Sequence, residues 1–528
     1  MVSVGNWAHT LRFRPQRVVD DLEDVAALRD VVTEAVRSGQ RVRTVGSLYS
    51  FSDCIVSREL LVHPRRVGHR IRDVRVTRKG ARDALGRLLH PDVFDGAGCT
   101  GFAWVLPGTR IHAMVRALAR RNMAPYVLGG STGQRVLGAV STSTHGAAFD
   151  EGPLPDSVVA LHVLAGDRDV FIEPARFRVT RDEAARHALC GTNDVELVRS
   201  DAALAAAAVA VGAGGVLAGA LVKARWGGVL NERVKIADWA TVRQALISAS
   251  QFDAPPGEDP WDGPLGTYRA LEVMIDAYAR PPRAFLVIRT EGWSGFREDR
   301  DLRRGPVDIV AFAKRAGRSR PQLSKALRLL VEGSRVHGSE SRRNGRWIWH
   351  DYAKLIDTGV PTSQRVFSHE LVWREDLRSD GNTADYVRFL DRAVELVQQS
   401  VEDGDPYLGM ISLRFSRGTS AFLGMQWDPN PDAVRFAHVE LSPIQRVGER
   451  RPTGAMPIAN VNFIERLLSH ETAATARPHW GQASGGRAVF DARRYPRLSQ
   501  WKRQIRRILG PHAGMFSNEF NEASHTAP

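Results

Sequence analysis

Titratable side chains alternate with apolar ones along three short segments in the second half of the chain. The segments are residues 368–373 (SHELVW), 412–415 (SLRF) and 437–442 (AHVELS). Side chains two positions apart on a strand share a face, so Arg414 lies beside Ser412 and His438 beside Glu440. A carboxylate or an imidazole can accept a proton, which makes Glu370, His438 and Glu440 candidate bases. A histidine on a sheet face is, however, more often a hydrogen-bonded core residue than a base.

Two segments rich in Gly, Ser and Thr could contact a ligand through their backbone. Residues 46–52 (GSLYSFS) directly follow a strand predicted over 41–45, and residues 129–148 (GGSTGQRVLGAVSTSTHGAA) are too many for an ordinary turn. Small side chains leave backbone N–H groups and hydroxyls free to face an anion. The first segment therefore predicts an anion-binding loop. The second predicts a ligand-lining loop, although by itself it also fits a surface Gly-Ser loop.

Regular elements flank these segments. Apolar residues at 25, 28, 32 and 36, with Asp24 before them and Gly39 after them, predict a helix with an N-cap and a left-handed C-cap. Residues 158–164 and 169–172, separated by a Gly-containing turn, predict a β-hairpin. From about Trp226 onward Trp, Arg and Pro become frequent and no further Gly-rich loop occurs. We therefore expect a domain boundary there.

One uncharged stretch has the length of a membrane span. Residues 202–222 carry no charge over 21 positions, but ten of them are Ala and four are Gly. Gly212, Gly214 and Gly215 would interrupt a helix at its centre. The composition favours a buried helix, a Gly turn and a buried strand, so no membrane partner is expected.

The net charge is strongly positive without a nucleic-acid signature. In 528 residues, 73 Lys and Arg against 59 Asp and Glu give a formal charge of +14, carried mostly by Arg and densest around residues 314–346. Zinc-finger spacing, RNA-recognition signatures and long basic runs are absent from the sequence. An Arg-rich solvated surface is therefore favoured over a nucleic-acid groove.

The cysteine content and the first residues indicate the cellular compartment in which the protein is expected. Three cysteines, Cys54, Cys99 and Cys190, are too few for a disulfide framework and form no Cys-x-x-Cys pair that would indicate structural zinc. The opening residues MVSVGNWAHTLRFRP have no apolar run of the kind that a secretory signal needs. We expect a cytoplasmic protein without a metal site.

Five segments, in this order, resemble the vanillyl-alcohol-oxidase flavoprotein superfamily and most closely its sugar-1,4-lactone and alditol oxidases. They are residues 41–53 (RVRTVGSLYSFSD), 138–146 (GAVSTSTHG), 211–216 (VGAGGV), 477–481 (RPHWG) and 508–520 (ILGPHAGMFSNEF). The resemblance covers roughly the first 225 residues and the last 75 well, and the middle only in fragments. It implies an FAD-dependent oxidase or dehydrogenase that acts on a small molecule and passes electrons to O2 or to another acceptor.

The resemblance also implies which residues contact FAD. Residues 46–50 would face the pyrophosphate, residues 141–146 the isoalloxazine and pyrophosphate, and residues 212–216 the adenine end. The implied cofactor-binding residues are Gly46, Ser47, Leu48, Tyr49, Ser50, Gly138, Ser141, Thr142, Thr144, His145, Gly146, Gly212, Gly215, Val216 and His479. Arg414 resembles the Arg of a family Glu-x-Arg strand that faces the flavin, and we assign it the role of stabilising negative charge.

Three positions depart from the family pattern. The first loop usually has a His that bonds covalently to the flavin, but this chain has Tyr49, as in the similar decaprenylphosphoryl-ribose oxidases, which hold FAD without a covalent bond. We expect non-covalent FAD, with a tyrosyl-flavin bond as the alternative. Ser412 replaces the Glu of Glu-x-Arg, and Gln482 replaces a Lys after His-Trp-Gly. These two replacements favour a substrate other than a simple sugar, such as an intermediate of secondary metabolism, with an apolar part contacting Trp373 and Trp427.

The predicted fold is α+β. We expect a two-part FAD-binding domain of the PCMH type over residues 1–225, a substrate or cap domain on a mixed or antiparallel sheet over 226–445, and a segment over 446–528 that returns to the FAD domain. Three functions follow from the sequence: hydride transfer from a CH–OH carbon of a non-sugar substrate to flavin, sugar-lactone or alditol oxidation with release of hydrogen peroxide, and polyanion binding supported by charge alone.

Overall fold

The computed structural model describes residues 2–67, 73–247, 269–292, 319–333, 348–351, 367–375, 384–444, 458–483 and 494–528. The strands there are β1 (Val4–Gly5), β2 (Arg12–Phe13), β3 (Arg17–Leu22), β4 (Val42–Thr44), β5 (Leu60–Val67), β6 (Val74–Arg78), β7 (Gly101–Val105), β8 (Met123–Pro125), β9 (Val158–Leu164), β10 (Asp169–Glu173), β11 (Glu196–Arg199), β12 (Val216–Trp226), β13 (Val229–Asp238), β14 (Ala270–Asp276), β15 (Arg283–Glu291), β16 (Ile348–Asp351), β17 (His369–Glu375), β18 (Gly409–Arg417), β19 (Arg435–Pro443) and β20 (Arg477–Pro478). The helices are α1 (Val25–Ser38), α2 (Val93–Ala97), α3 (Ile111–Ala119), α4 (Val136–Ser141), α5 (Glu183–Cys190), α6 (Asp201–Ala208), α7 (Trp239–Ile247), α8 (Arg320–Gly333), α9 (Asp385–Glu402), α10 (Ile458–Leu468), α11 (Leu498–Leu509) and α12 (Glu519–Ala523). Of the Arg-rich residues 314–346, only 319–333 lie within the described ranges.

The first helix begins and ends as the sequence predicts. The Asp24 side chain accepts a hydrogen bond from the backbone N–H of Ala27, and Gly39 adopts the left-handed conformation at the C-terminus with φ 66°. Leu28 and Val32 on its apolar face are buried. Helix α1 therefore packs by that face against the short parallel sheet β3-β5-β4 that leads into the first Gly-rich loop.

A seven-stranded sheet forms the second part of the N-terminal half. Its order is β11-β10-β9-β12-β7-β6, with β8 paired to β12. Strands β9 and β10 are antiparallel neighbours, which confirms the predicted hairpin. The uncharged stretch forms helix α6, a Gly turn and the buried strand β12, as the composition predicts. Over the described residues, helices long and apolar enough to cross a membrane are absent.

The chain passes from the seven-stranded sheet at Trp226 to an eight-stranded antiparallel sheet at Val229. The order of this sheet is β16-β13-β15-β14-β18-β19-β17-β20. Register places Glu272 opposite Arg414 and Arg414 opposite His438. It also places Glu440 opposite both Ser412 and Glu370. The three segments that carry titratable residues thus lie on adjacent strands, with these side chains on one face.

The C-terminal segment packs on the N-terminal half. The indole N–H of Trp501 on α11 donates to the carbonyl of Ala206 on α6 at 3.1 Å, and the Asn518 amide donates to the carbonyl of Val56 at 2.8 Å. Trp501 and Ile505 belong to the same apolar core as the N-terminal sheets. The α+β fold with a returning C-terminal segment is confirmed, while the exact boundaries at 225 and 445 stay predictions.

Candidate active site

A cavity of about 380 Å³ lies between the Gly-rich loops and the polar face of the eight-stranded sheet. One end is lined by residues 43–51, by residues 138–148 other than Val140 and Ser143, and by residues 211–212. The other end is lined by side chains of β14, β15, β18 and β19. His479, Gly481 and Gln482, from the C-terminal segment, also line it. Elements from three separate parts of the sequence therefore form one site.

The first loop offers unpaired donors to the cavity. Within the described part of the chain, the backbone N–H groups of residues 46–50 donate to no protein acceptor. Leu48 adopts a left-handed conformation with φ 57°, which turns the loop within this short segment. Successive free N–H groups form a concavity that binds anions. This arrangement fits the pyrophosphate of a dinucleotide.

The buried cation Arg43 lies beside the turn at residues 211–212. One terminal nitrogen of Arg43 donates to the carbonyl of Val211 at 3.2 Å, and the other donates to the side chain of Asn521. Its Nε has no partner among the described residues, and burial lowers the pKa of Arg43 to about 10, so the side chain stays charged at neutral pH. Gly212 has φ 78°, and a Cβ there would lie 1.8 Å from the Arg43 guanidinium. Only glycine therefore permits this cation to reach the cavity.

The predicted cofactor-binding residues fall into two groups. Those that line the cavity are Gly46, Ser47, Leu48, Tyr49, Ser50, Gly138, Ser141, Thr142, Thr144, His145, Gly146, Gly212 and His479. Gly215 and Val216 do not line it. A Cβ at Gly215 would lie 2.8 Å from the side chain of Val163, and Val216 is buried as the first residue of β12. These two residues pack the turn that presents Gly212, and their predicted role in cofactor binding stays a prediction.

Tyr49 is stacked against an aromatic residue of the N-terminus. Its ring lies 4.9 Å from that of Trp7 with an interplanar angle of 10°. Burial raises the pKa of the Tyr49 phenol, so the hydroxyl stays protonated at neutral pH. The C-terminal motif supports the same loop, because the N–H of Phe51 donates to the carbonyl of Gly481 at 2.7 Å.

Arg414 and Glu440 form an ion pair that faces the substrate end of the cavity. The Arg414 guanidinium donates to Oε2 of Glu440. The other oxygen, Oε1, accepts from Ser368 at 2.5 Å and from Ser442 at 3.4 Å. Burial by itself lowers the pKa of Arg414, but Glu440, Glu370 and Glu272 outweigh that effect and raise it. The Glu440 side chain is 21% exposed, so it is open to a molecule in the cavity.

Glu370 forms a second, enclosed pair with His145. Its Oε1 lies 2.6 Å from His145 Nε2, and both side chains are 2% exposed. Burial raises the pKa of Glu370, but His145, His438 and His479 more than offset this and hold it well below its usual range. The other nitrogen of His145, Nδ1, lies 2.8 Å from the carbonyl of Gly146. Both ring nitrogens of His145 therefore face acceptor oxygens, which fixes the orientation of the ring against Glu370.

His438 lies beneath this pair and does not line the cavity. Its Nδ1 is 3.3 Å from Glu370 Oε1, its Nε2 is 2.8 Å from the Ser416 hydroxyl, and its ring stacks on His145 with centroids 3.6 Å apart. Burial, reinforced by His145, lowers the pKa of His438 to about 3. His479 does line the cavity, and burial lowers its pKa to about 4. Both rings are therefore neutral at physiological pH.

His145, Glu370 and His438 are also residue types that bind metals, and their ligand atoms lie within 4.8 Å of one another. Tetrahedral coordination with bonds of about 2.1 Å separates ligand atoms by more than a hydrogen-bond length. The 2.6 Å contact between His145 and Glu370 is instead that of a charge-assisted hydrogen bond. The sequence-based expectation that no metal binds stays a prediction.

One expectation about the substrate end is wrong, and several lining residues were missed. Trp373 donates to the carbonyl of Thr472 and packs on Phe389, and neither it nor Trp427 lines the cavity. The missed lining residues include Arg43, Arg269, Glu272, Met274, Arg289, Ser368, Met410 and Ser442. Strand alternation could have identified two of these, because Ser368 and Ser442 lie two positions from Glu370 and Glu440.

Comparison with known proteins identifies the cofactor half. Residues 17–171 match the family model described as "FAD binding domain". The chain is 27% identical over 161 residues to D-arabinono-1,4-lactone oxidase of Candida albicans, and 26% identical over 167 residues to L-gulono-1,4-lactone dehydrogenase of Mycobacterium tuberculosis. These alignments cover 30% and 32% of this chain, and 27% and 33% of the two relatives.

The solved structure of cholesterol oxidase from Brevibacterium sterolicum is similar in fold. It aligns with a TM-score of 0.66 and 13% identity over 100% of this chain and 96% of that chain. These findings confirm the resemblance seen in the sequence and the FAD-binding domain. The free N–H groups of residues 46–50 and the buried Arg43 suit the cofactor's pyrophosphate and its negative charge.

Proposed function

We propose that the protein is an FAD-dependent oxidoreductase that removes a hydride from a CH–OH carbon of a small-molecule substrate. The observation that carries this proposal is the Arg414–Glu440 pair, which opens onto the same cavity as the FAD-binding loops. When bound, FAD supplies the two-electron acceptor. Oxidation of an alcohol also requires a proton acceptor and a stabilising cation, and this chain offers one of each side by side.

Glu440 is the base that the geometry favours. Of the three candidates, Glu370 is enclosed with His145, and His438 has both ring nitrogens in contact with protein groups. Glu440 is open to the cavity and is held by Ser368 and Ser442. It would accept the hydroxyl proton while Arg414 stabilises the negative charge that develops on the substrate oxygen. Glu370 and His145 then act as positioning residues beneath this pair.

The register of the sheet compensates for one departure from the family pattern. Ser412 lacks the carboxylate of the Glu-x-Arg strand, but Glu440 lies directly opposite Ser412 and forms an ion pair with Arg414. A carboxylate on β19 thus stands in for the one absent from β18. This feature supports alcohol chemistry at Arg414 without requiring the sugar-binding arrangement of the relatives.

The substrate end supports a substrate larger or less polar than a simple sugar. Met274 and Met410 line it together with Ser412, and Gln482 leaves its buried Oε1 without a partner in the described structure. A site that leaves buried polar groups unmatched discriminates strongly between substrates. We propose non-covalent FAD and a substrate with an apolar part, and a sugar-1,4-lactone as the second candidate, which the named relatives favour.

We also propose that cofactor binding and substrate binding take place in different halves of the protein. The segments flanking the eight-stranded sheet bind FAD, and the face of that sheet binds the substrate. O2 or another acceptor then reoxidises the flavin, in the cytoplasm.

A substrate panel tests the proposal. The purified protein is mixed without oxygen with xylitol, sorbitol, gulonolactone and galactonolactone, and with primary and secondary alcohols that carry alkyl or aryl groups, and flavin absorbance is followed. We expect a yellow protein whose flavin is bleached by members of the second set, with peroxide released on admitting air. Rapid bleaching by a sugar at millimolar concentration would instead support the lactone-oxidase function. A colourless protein that binds polyanions would overturn both.

A further inference from the structure

A second arginine faces the substrate end of the cavity, and the proposed reaction does not use it. Arg289 on β15 lines the cavity although its side chain is only 7% exposed. Its Nε donates to Glu232 Oε2 at 2.8 Å. Within the described chain, its terminal nitrogens Nη1 and Nη2 have no hydrogen-bond partner. A buried guanidinium with one edge unmatched is suited to a ligand that supplies acceptors there.

The register of the sheet fixes the distance between Arg289 and Arg414. Arg289 lies opposite Ala270 on β14, and Arg414 lies opposite Glu272 on the other side of the same strand. Two inter-strand spacings and an offset of two residues separate the Cα atoms of the two arginines by roughly 12 Å. Their pairing partners, Glu232 and Glu440, are on the outer strands β13 and β19, so the two guanidinium groups lean apart.

The free edge of Arg289 matches one chemical group. Nη1 and Nη2 present parallel N–H bonds, the geometry that binds both oxygens of a carboxylate. The Glu232 contact through Nε holds the guanidinium in place before a ligand arrives. Arg269, adjacent to Ala270 in the chain, also lines this end of the cavity, but its guanidinium is paired with Glu151 and Glu291. Glu272, on the neighbouring strand, disfavours a more highly charged group such as a phosphate.

We propose that Arg289 is a specificity-determining residue that binds a carboxylate of the substrate, several bonds away from the carbon that is oxidised. The separation from Arg414 excludes hydroxy acids whose carboxylate adjoins the carbinol, because one such group cannot reach both arginines. The substrate class is then a hydroxy acid with a spacer, which passes Ala270 opposite Arg289 and Glu272 opposite Arg414. This inference rests on the proposed function for the position of the reacting carbon.

The first test compares oxidation of 8-hydroxyoctanoate, 2-hydroxyoctanoate and 1,8-octanediol by anaerobic flavin bleaching. We expect the wild type to prefer 8-hydroxyoctanoate over the diol by about tenfold or more, the effect of a charge-assisted bidentate contact. Arg289→Gln should lose that preference, so that the acid and the diol are oxidised at similar rates within the variant. Arg392→Gln, which removes an arginine from the surface of α9, is the matched control and should retain the preference. Equal rates for the acid and the diol in the wild type would overturn the inference.

A binding measurement separates this inference from the proposed function. Calorimetric titration of the FAD-loaded protein with octanoate and with octanamide requires no turnover. We expect octanoate to bind about tenfold or more tightly than octanamide, and Arg289→Gln to abolish the difference. If Arg289→Gln fails to fold because Glu232 is left unpaired, the Arg289→Gln/Glu232→Gln double variant removes both charges and takes its place. Equal affinities in the wild type would refute the carboxylate site, whereas tight octanoate binding without bleaching by any alcohol would refute only the proposed reaction.

Discussion

Replacing Arg414 tests the stabilising cation of the proposed reaction. The guanidinium contacts Glu440 and lies 3.8 Å from Glu370 Oε2, so it is the positive charge between two carboxylates. Arg414→Ala removes this charge and leaves both carboxylates without it. Arg414→Lys restores a point charge but not a planar fork that can serve two partners at once.

The expected loss follows from the charge that develops during the reaction. Removing one preorganised donor from a developing oxyanion costs about 3 kcal/mol, or roughly a hundredfold in rate. Unit charges about 4 Å apart at an effective dielectric constant of about 20 interact by roughly 4 kcal/mol, which gives the same order. We expect Arg414→Ala to reduce its flavin at least about a hundredfold more slowly, and Arg414→Lys to recover about tenfold of that loss.

Stopped-flow reduction without oxygen measures this step, with FAD content measured by absorbance on the same samples. Arg417→Ala is the matched control, because Arg417 is on the same strand β18 but points to the opposite face and does not line the cavity. It should reduce its flavin at the wild-type rate. If Arg414→Ala with full FAD content were as fast as Arg417→Ala, Arg414 would not stabilise charge in the reaction.

Three further predictions concern the cofactor and stability. Because Tyr49 is a protonated phenol stacked on Trp7, acid precipitation should release the yellow colour into the supernatant, and a coloured pellet with the added mass of FAD would contradict this. Glu370→Gln removes the buried carboxylate that lies 2.6 Å from His145 and should lower the free energy of unfolding by about 3 kcal/mol, seen as a lower midpoint of thermal unfolding. Glu395→Gln on the surface should cost less than about 1 kcal/mol, and equal midpoints for the two variants would refute a stabilising Glu370–His145 pair. Burial raises the pKa of Asp156 to about 6, because the folded protein favours the protonated carboxyl. The contribution of Asp156 to the free energy of unfolding is therefore full below about pH 4, and about 3 kcal/mol of it is lost as the pH rises through 6. Asp156→Asn should remove that part of the pH dependence of the unfolding midpoint, and an unchanged pH profile would contradict the raised pKa.

The cofactor half was largely predictable from the sequence. Short-range signals determine it: Asp24 and Gly39 delimit α1, and the residues between 46 and 50 form a tight loop whose N–H groups stay free. The order of the five family segments identified the ligand. The helix, Gly turn and buried strand of the Ala-rich stretch were also predicted correctly, because Gly residues at its centre interrupt a helix whatever the tertiary context.

The substrate half was only partly predictable, because strand pairing in an antiparallel sheet is a long-range property. Alternation placed Arg414 with Ser412 and His438 with Glu440. The sheet register sets Glu440 opposite Ser412, and only the side-chain positions show that Glu440 forms its ion pair with Arg414 while His438 lies beneath Glu370 and His145. Trp373 was expected to contact an apolar part of the substrate, yet it is part of the core under α9. Arg289 has no local signal, since its importance arises from its neighbours on β13 and β14.

The central claim is that the FAD-binding cavity oxidises a carbinol with Glu440 as the base. The most direct measurement is the single-turnover rate of flavin bleaching without oxygen by the fastest alcohol of the panel, in the wild type and in Glu440→Gln at equal FAD content. General base catalysis contributes about a hundredfold or more, so we predict rapid bleaching in the wild type and a loss of that size in the variant. No bleaching by any alcohol, or equal rates in the two proteins, would contradict the claim.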